Sequence, residues 1–227
     1  MKEQKRYVKR EEMGLFDRFD RLSQIDKMGD PLAYLDAVMS WEIFQTVLES
    51  IPVTEAKGPG GRPPFHPMFM FKILVIQSLY GLHDEQTQFQ ILDRRSFARF
   101  LGITDADTVP DQNTIRGFRE ELTKADLFDK LFAAFDSFLM ERGFITRKGN
   151  MIDASFVEVP KQRNRREENE AIKRGEIPEG WEENPKRLCH KDLDARWAKK
   201  NHETFYGYKN HVNVDLESKL ITRAVVT

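Results

Sequence analysis

Along this chain the apolar residues recur every third or fourth position from Asp30 to Arg142, and from Asn150 onward they come in short runs instead. The first spacing is that of helices with one buried face, the second that of strands. Asp30 before Pro31 reads as an N-cap followed by proline at the first helical position, and Leu32, Leu35, Val38 and Met39 share the face that follows. Ser40 stands where it can cap a second helix carrying Trp41, Phe44, Val47 and Leu48, ended by Pro52. Met68 to Tyr80 is apolar nearly all round, broken only by Lys72 and Gln77 and stopped by Gly81, so it is expected to be a buried hub. Asp84 opens a segment through Leu92, Ser96 opens Phe97 to Leu101 with Gly102 as its stop, and Val109 to Thr114 leads into a helix through Leu122. Asp126 starts a long amphipathic helix with Leu127, Leu131, Phe135, Phe138 and Leu139, closed by Gly143.

Met151 to Val159, between Gly149 and Pro160, is rich in strand formers. Lys161 to Asn201 is polar with few apolar anchors. Phe205 to Val214 and Lys219 to Val226 then form a hairpin around Asp215 to Ser218. The breakers Gly58 to Pro64 form a hinge, and Lys2, Lys5, Arg6, Lys9 and Arg10 mark a charged start expected to be flexible. The predicted organisation is α+β. Residues 1–57 hold the charged tail and N-terminal helices, 58–145 a helical domain, and 146–227 three strands with a charged insertion over 160–204. The last run, Ala224 to Val226, has no covering element behind it, and a sheet normally needs one. The expectation is a C-terminal domain that has been cut short.

Composition narrows the classes. Of 227 residues 40% are hydrophobic, enough for a core, while 36 Lys and Arg balance 37 Asp and Glu. A net charge of −1 excludes a uniformly basic coat and leaves local basic patches open. The lone cysteine, Cys189, rules out an intramolecular disulfide and suits a reducing cytoplasm. Met1 to Gly14 has no apolar run for a secretory signal, and Met68 to Tyr80 falls short of the roughly 20 residues that span a bilayer.

Asp153 is the sharpest chemical candidate, a carboxylate inside an apolar strand, where burial costs several kcal/mol without support. The competing reading is a turn hydrogen bond near a strand start. Gly61 to Pro67, Gly81 to Thr87, Ile91 to Arg94, Arg99 to Gly102 and Val109 to Asp111, with Thr114-Ile115 and Phe118-Arg119, resemble the N-terminal half of bacterial transposases of the insertion sequence 5 family. Ile152-Asp153-Ala154 with Val157-Glu158, Pro160 to Asn164 with Arg166 to Asn169, and Tyr206 to Val212 resemble the start of its catalytic half. The resemblance implies a ribonuclease-H-like domain whose Asp-Asp-Glu triad holds two Mg²⁺ or Mn²⁺ ions for in-line displacement at phosphorus, with Asp153 as catalytic residue and metal ligand. The family's second and third carboxylate segments do not occur here, so this polypeptide is expected to be inert by itself. The activity implied is cleavage and strand transfer at terminal inverted repeats. The alternative is a non-catalytic fragment that binds element ends or inhibits an intact transposase.

Asp215, at the end of a strand, is a remote substitute ligand, and Glu158, an odd number of residues from Asp153, points to the opposite face. Arg163, Arg165 and Arg166 follow the Asp153 strand, while Lys186, Arg187, Lys191, Arg196, Lys199 and Lys200 precede the next, interleaved with Trp181 and Trp197. Such a segment suits phosphate contacts and base stacking, with a solvated loop as the plainer alternative. Lys209 and His211 share one strand face and are candidates for phosphate contact. Arg116 and Arg119 belong to the helix opened by Asp111, which is either a recognition helix or part of a bundle used for packing and dimerisation. Zinc at Cys189, His190 and His202 is disfavoured by the single thiol and the spacing. The expected partners are DNA and a second copy of the chain, in a bacterial, nucleoid-associated cytoplasmic setting.

Overall fold

The computed structural model describes residue Gly14 and residues 17–52, 63–146, 148–200 and 202–227. The charged stretch from Lys2 to Arg10 and the breakers Gly58 to Arg62 lie outside them. The chain forms two compact units, residues 1–137 and 138–227.

The first unit is helical: α1 (Asp17–Met28), α2 (Pro31–Val38), a 3₁₀ turn (Trp41–Phe44), α3 (Gln45–Glu49), α4 (Pro67–Tyr80), α5 (Asp84–Asp93), α6 (Arg95–Leu101), α7 (Gln112–Lys124) and most of α8 (Phe128–Glu141). The predicted hub is borne out. α4 packs against α3, α5, α6 and α7, and its Ile73 and Ile76 are wholly buried. One core joins Leu32, Phe44, Leu48 and Ile51 to Phe97, Ile115, Leu122 and Leu131, so the segments 17–52 and 63–146 share it. The caps expected at Asp30 and Asp111 form, with the Asp30 carboxylate accepting from the Leu32 N–H (3.0 Å) and that of Asp111 from the Thr114 N–H (2.7 Å). Gly81, Gly102 and Gly143 all take positive φ at helix ends.

Three details differ from the sequence reading. The helix after Ser40 begins as a 3₁₀ turn before α3. The helix after Leu127 begins at Phe128, with Asp126 at φ +53 in the connection. Helix α1 is additional: its apolar stripe is Phe19, Leu22, Ile25 and Met28, with Phe19 and Met28 exposed, and it is tied to α6 by an ion pair from Arg99 to Asp26 (2.7 Å). A sparse stripe gives too weak a periodicity to read unaided.

The second unit is an antiparallel sheet of β1 (Asn150–Glu158), β2 (Arg196–Lys200), β3 (Glu203–Asp215) and β4 (Ile221–Val226), with helices α9 (Arg166–Lys173) and α10 (Pro185–Cys189) between the first two strands. Long strand β3 is the spine. It pairs with β1 from Gly207 to Asp215, with β2 from Glu203 to Gly207, and with β4 from Asn210 to Val214. The α+β class and the hairpin stand, but the sheet has four strands rather than three, because the charged insertion supplies β2. That insertion also buries Ile172, Trp181 and Ala195. Gly207 is required where β1 meets β3: at φ +151, a Cβ there would lie 2.0 Å from the Val157 carbonyl oxygen. Much of the sheet's apolar surface is open, with Ile152 75% and Val226 62% exposed.

Candidate nucleic-acid interface

Side chains alternate across a strand, so the register assigns faces. Asp153 lies opposite Val212 and therefore shares a face with Met151, Ser155 and Val157 of β1 and with Tyr206, Tyr208 and Asn210 of β3. Through the pairs Trp197 with Tyr206 and Lys199 with Thr204, β2 adds Trp197 and Lys199 to that face. The predicted burial of Asp153 does not hold. The carboxylate is exposed, because little covers this end of β1, and it accepts the Ala154 N–H at 2.7 Å.

Asp215 sits opposite Asn150, on the other face, wholly buried, and accepts from both the N–H (2.9 Å) and the hydroxyl (2.8 Å) of Ser218. It holds the β3–β4 turn and cannot complete a metal site with Asp153. Glu158 faces away from Asp153, as its spacing required. Lys209 and His211 do share a face, but they lie opposite Phe156 and Ala154, so their expected approach to phosphate beside Asp153 is corrected. The Lys209 ammonium stands 5.8 Å from the Phe156 ring centre, and His211 Nε2 is 3.2 Å from the Thr227 hydroxyl. Lys200, one residue beyond Lys199, alternates to that same far face.

The basic insertion is only partly free. The Arg166 guanidinium meets Glu170 at 3.2 Å in an exposed pair of little energetic worth. The Arg165 N–H donates to Glu168 at the start of α9 (2.7 Å). Lys191 donates to the Arg163 carbonyl (3.2 Å) and to Asn164 Oδ1 (2.5 Å). Exposed Arg163 and Lys199 have no carboxylate partner among the described residues. Trp181 is wholly buried, its indole N–H bonded to Glu168 Oε1 (3.1 Å), so it is not available for base stacking, whereas Trp197 is 48% exposed.

Asp192 and Tyr208 are the anchors that sequence reasoning missed. The Tyr208 hydroxyl lies 2.7 Å from both Asp192 oxygens, and Asp192 also accepts the N–H groups of Asp194 and Ala195 (2.9 Å each). The carboxylate thereby fastens the segment before β2 to the Asp153 face of β3. Burial and the Asp192 hydrogen bond push the Tyr208 phenol up to about 12, while Asp192 ionises below the usual carboxylate range because these donors outweigh its burial. The signal available was the alternation of Tyr206 and Tyr208 on one strand face, which calls for a cover.

In the helical unit Arg116 and Arg119 converge on Asp84. Arg119 forms a close ion pair with Asp84 and donates to Gln77 Oε1 (2.6 Å), while Arg116 lies 3.6 Å from Asp84. Gln77 in turn donates to Asp84 Oδ1 (2.9 Å) and to the wholly buried Thr87 hydroxyl (3.0 Å). Arg119 thus clamps α7 to α4 and α5, an intramolecular role beside the DNA contact expected of it. Ten residues, 102–111, join α6 to α7, where a helix-turn-helix would have three or four, so the recognition-helix alternative for α7 does not rest on that motif with α6.

Residues 19–121 match the Transposase domain (DUF772) family model. The matched segment begins inside α1 and ends inside α7, leaving α8 and the sheet unit outside it. It supports a transposase function for the chain, with DNA as the partner. No solved structure matches the chain. Among the described residues no helix is long and apolar enough to cross a membrane, and no three His, Cys, Asp or Glu side chains converge to hold a metal ion. A two-metal centre needs several converging carboxylates; on this face Asp192 is taken up by Tyr208 and two backbone N–H groups, and among the described residues no group of three possible ligands includes Asp153, so the residues present do not fit Mg²⁺ or Mn²⁺.

Proposed function

We propose that this chain serves DNA transposition by recognising the terminal inverted repeats of an insertion sequence, as a member of the insertion sequence 5 group acting as a homodimer in a bacterial cytoplasm. The transposase-domain match across the helical unit carries the reading. The sheet unit adds the surface that lies along the duplex: Arg163 and Lys199 neutralise phosphates, and Asp153 stands on the same face as Lys199. Asp153 is in this reading the first carboxylate of a ribonuclease-H-like site. It does not form a metal centre with any other described acid, so no cleavage step is assigned to these residues.

A gel-shift titration of the full chain tests the proposal. It retards terminal-repeat duplex at lower concentration than random duplex of equal length; equal retardation overturns end recognition. Incubation with Mg²⁺ or Mn²⁺ leaves the duplex intact, and nicks that vanish in Asp153→Asn would overturn the non-cutting assignment.

A further inference from the structure

Strand β1 is exposed at every position but Phe156, and among the described residues it pairs only with β3. Its hydrogen bonds tell its two edges apart. The Val159 N–H, just past its end, donates to the Tyr206 carbonyl (3.0 Å), and the Gly149 carbonyl, just before its start, accepts from the Leu216 N–H (2.9 Å). Odd-numbered positions therefore turn their backbone groups toward β3, and even-numbered positions from Asn150 to Glu158 turn theirs to the outer edge. The Ala154 N–H agrees, since it bonds to the Asp153 carboxylate beside it rather than to a strand. An outer edge with neither proline nor lysine to blunt it is a template for another extended segment.

The side chains of β1 say which segment fits. Antiparallel pairing with a second copy about Ala154 sets Met151 against Val157, Ile152 against Phe156 and Asp153 against Ser155. Apolar then meets apolar on both faces, and no like charges are opposed. Centring on Asp153 would oppose two carboxylates, and centring on Ser155 would set Ile152 against Glu158. The other outer strand, β4, has only six residues and would set Arg223 against Val225 about its Ala224.

We propose that β1 pairs with β1 of a second copy about Ala154 and joins the two sheets into one. The proposal rests on the homodimer of the transposition reading and gives it an interface. The Ala154 N–H passes from the Asp153 carboxylate to the second copy's Ala154 carbonyl, and the released carboxylate meets the second copy's Ser155. The two-fold axis runs through the plane of the sheet, so Asp153 and Lys199 of both copies emerge on one side, a doubled surface for a duplex.

Sedimentation equilibrium of the full chain over a concentration series shows a closed dimer. Ala154→Pro removes only an outward N–H from each copy and weakens the dimer about tenfold, the scale of two lost hydrogen bonds. Ile152→Lys, at a position 75% exposed, weakens it by a similar factor, because the new ammonium faces the second copy's Phe156 and the Lys209 paired with it. Val226→Lys on β4 leaves the dimer unchanged, and circular-dichroism melts confirm that all three variants fold. In a Cys189→Ser background, Ala154→Cys oxidises to a disulfide-linked dimer, since paired Cα atoms there stand about 5.5 Å apart. A monomer throughout the series overturns the interface together with the homodimer, while the gel shift still decides end recognition. A dimer indifferent to Ala154→Pro or to Ile152→Lys, or one without the cross-link, overturns the interface alone. Larger assemblies that Val226→Lys reduces mean that β1 meets β4, and they overturn it as well.

Discussion

The helical unit and the sheet unit use charge in opposite ways. In the first, cations are folded into the architecture: Arg99 bridges Asp26 and Asp30, Arg119 clamps Asp84 and Gln77, and Lys72 meets Asp36 at 2.7 Å beneath the rings of Trp41 and Phe100. In the second, Arg163 and Lys199 stand exposed and apolar strand residues face outward. One unit therefore closes its own core, and the other offers surface. A basic residue is evidence of DNA contact only after its intramolecular partner has been looked for.

The largest effect that can break this comparison is on stability. Phe97→Ala removes a wholly buried ring from the helical core and costs about 3–5 kcal/mol, whereas Ile152→Ala on the open sheet changes stability by no more than about 0.5 kcal/mol. Urea denaturation followed by circular dichroism measures both. A comparable loss in the two variants would show that the sheet face is covered in solution.

An intermediate effect tests the clamp. Arg119→Ala takes the donor from Gln77 Oε1, leaves Asp84 with Gln77 and the longer Arg116 contact, and costs about 1–3 kcal/mol. The Asp84 carboxyl is held below its ordinary range chiefly by the Arg119 hydrogen bond. A depressed folded value means that this contribution is complete above the unfolded value near pH 4 and is lost as pH falls through the folded one. The urea midpoint of the unsubstituted chain thus declines below about pH 4, and part of that decline disappears in Arg119→Ala. An unchanged acid limb would remove Asp84 from the clamp.

Helices were legible in proportion to how much apolar surface they bury. The Met68 to Tyr80 run declared itself because four neighbours pack on it, while α1, which half-buries only Leu22 and Ile25, did not. Caps at Asp30 and Asp111 were readable because a cap is a contact between near neighbours in sequence. β2 was hidden since Arg196 to Lys200 has the composition of a solvated loop and becomes a strand only by pairing with β3. The site was half legible. Alternation alone put Glu158 away from Asp153, but placing Lys209, His211 and Asp215 needed their pairing with β1 residues more than fifty positions earlier, and no spacing rule within one strand supplies that. The hydrogen bond from Tyr208 to Asp192 needed the fold of the insertion, which the Tyr206 and Tyr208 alternation only hinted at.

The smallest effect separates the two faces of the sheet itself. If the duplex lies along the Asp153 face, Lys199→Ala removes one phosphate contact, and the slope of log affinity against log salt falls by about 0.9. Lys200→Ala and Lys209→Ala remove the same formal charge from the far face and leave the slope unchanged. All three positions are exposed and each variant keeps its backbone pairing, so a difference between them reports the position of DNA rather than a change of fold. Anisotropy titrations across a salt series give the three slopes. Equal losses at all three would mean that the duplex follows the sheet's net charge, with no preference for the face that carries Asp153.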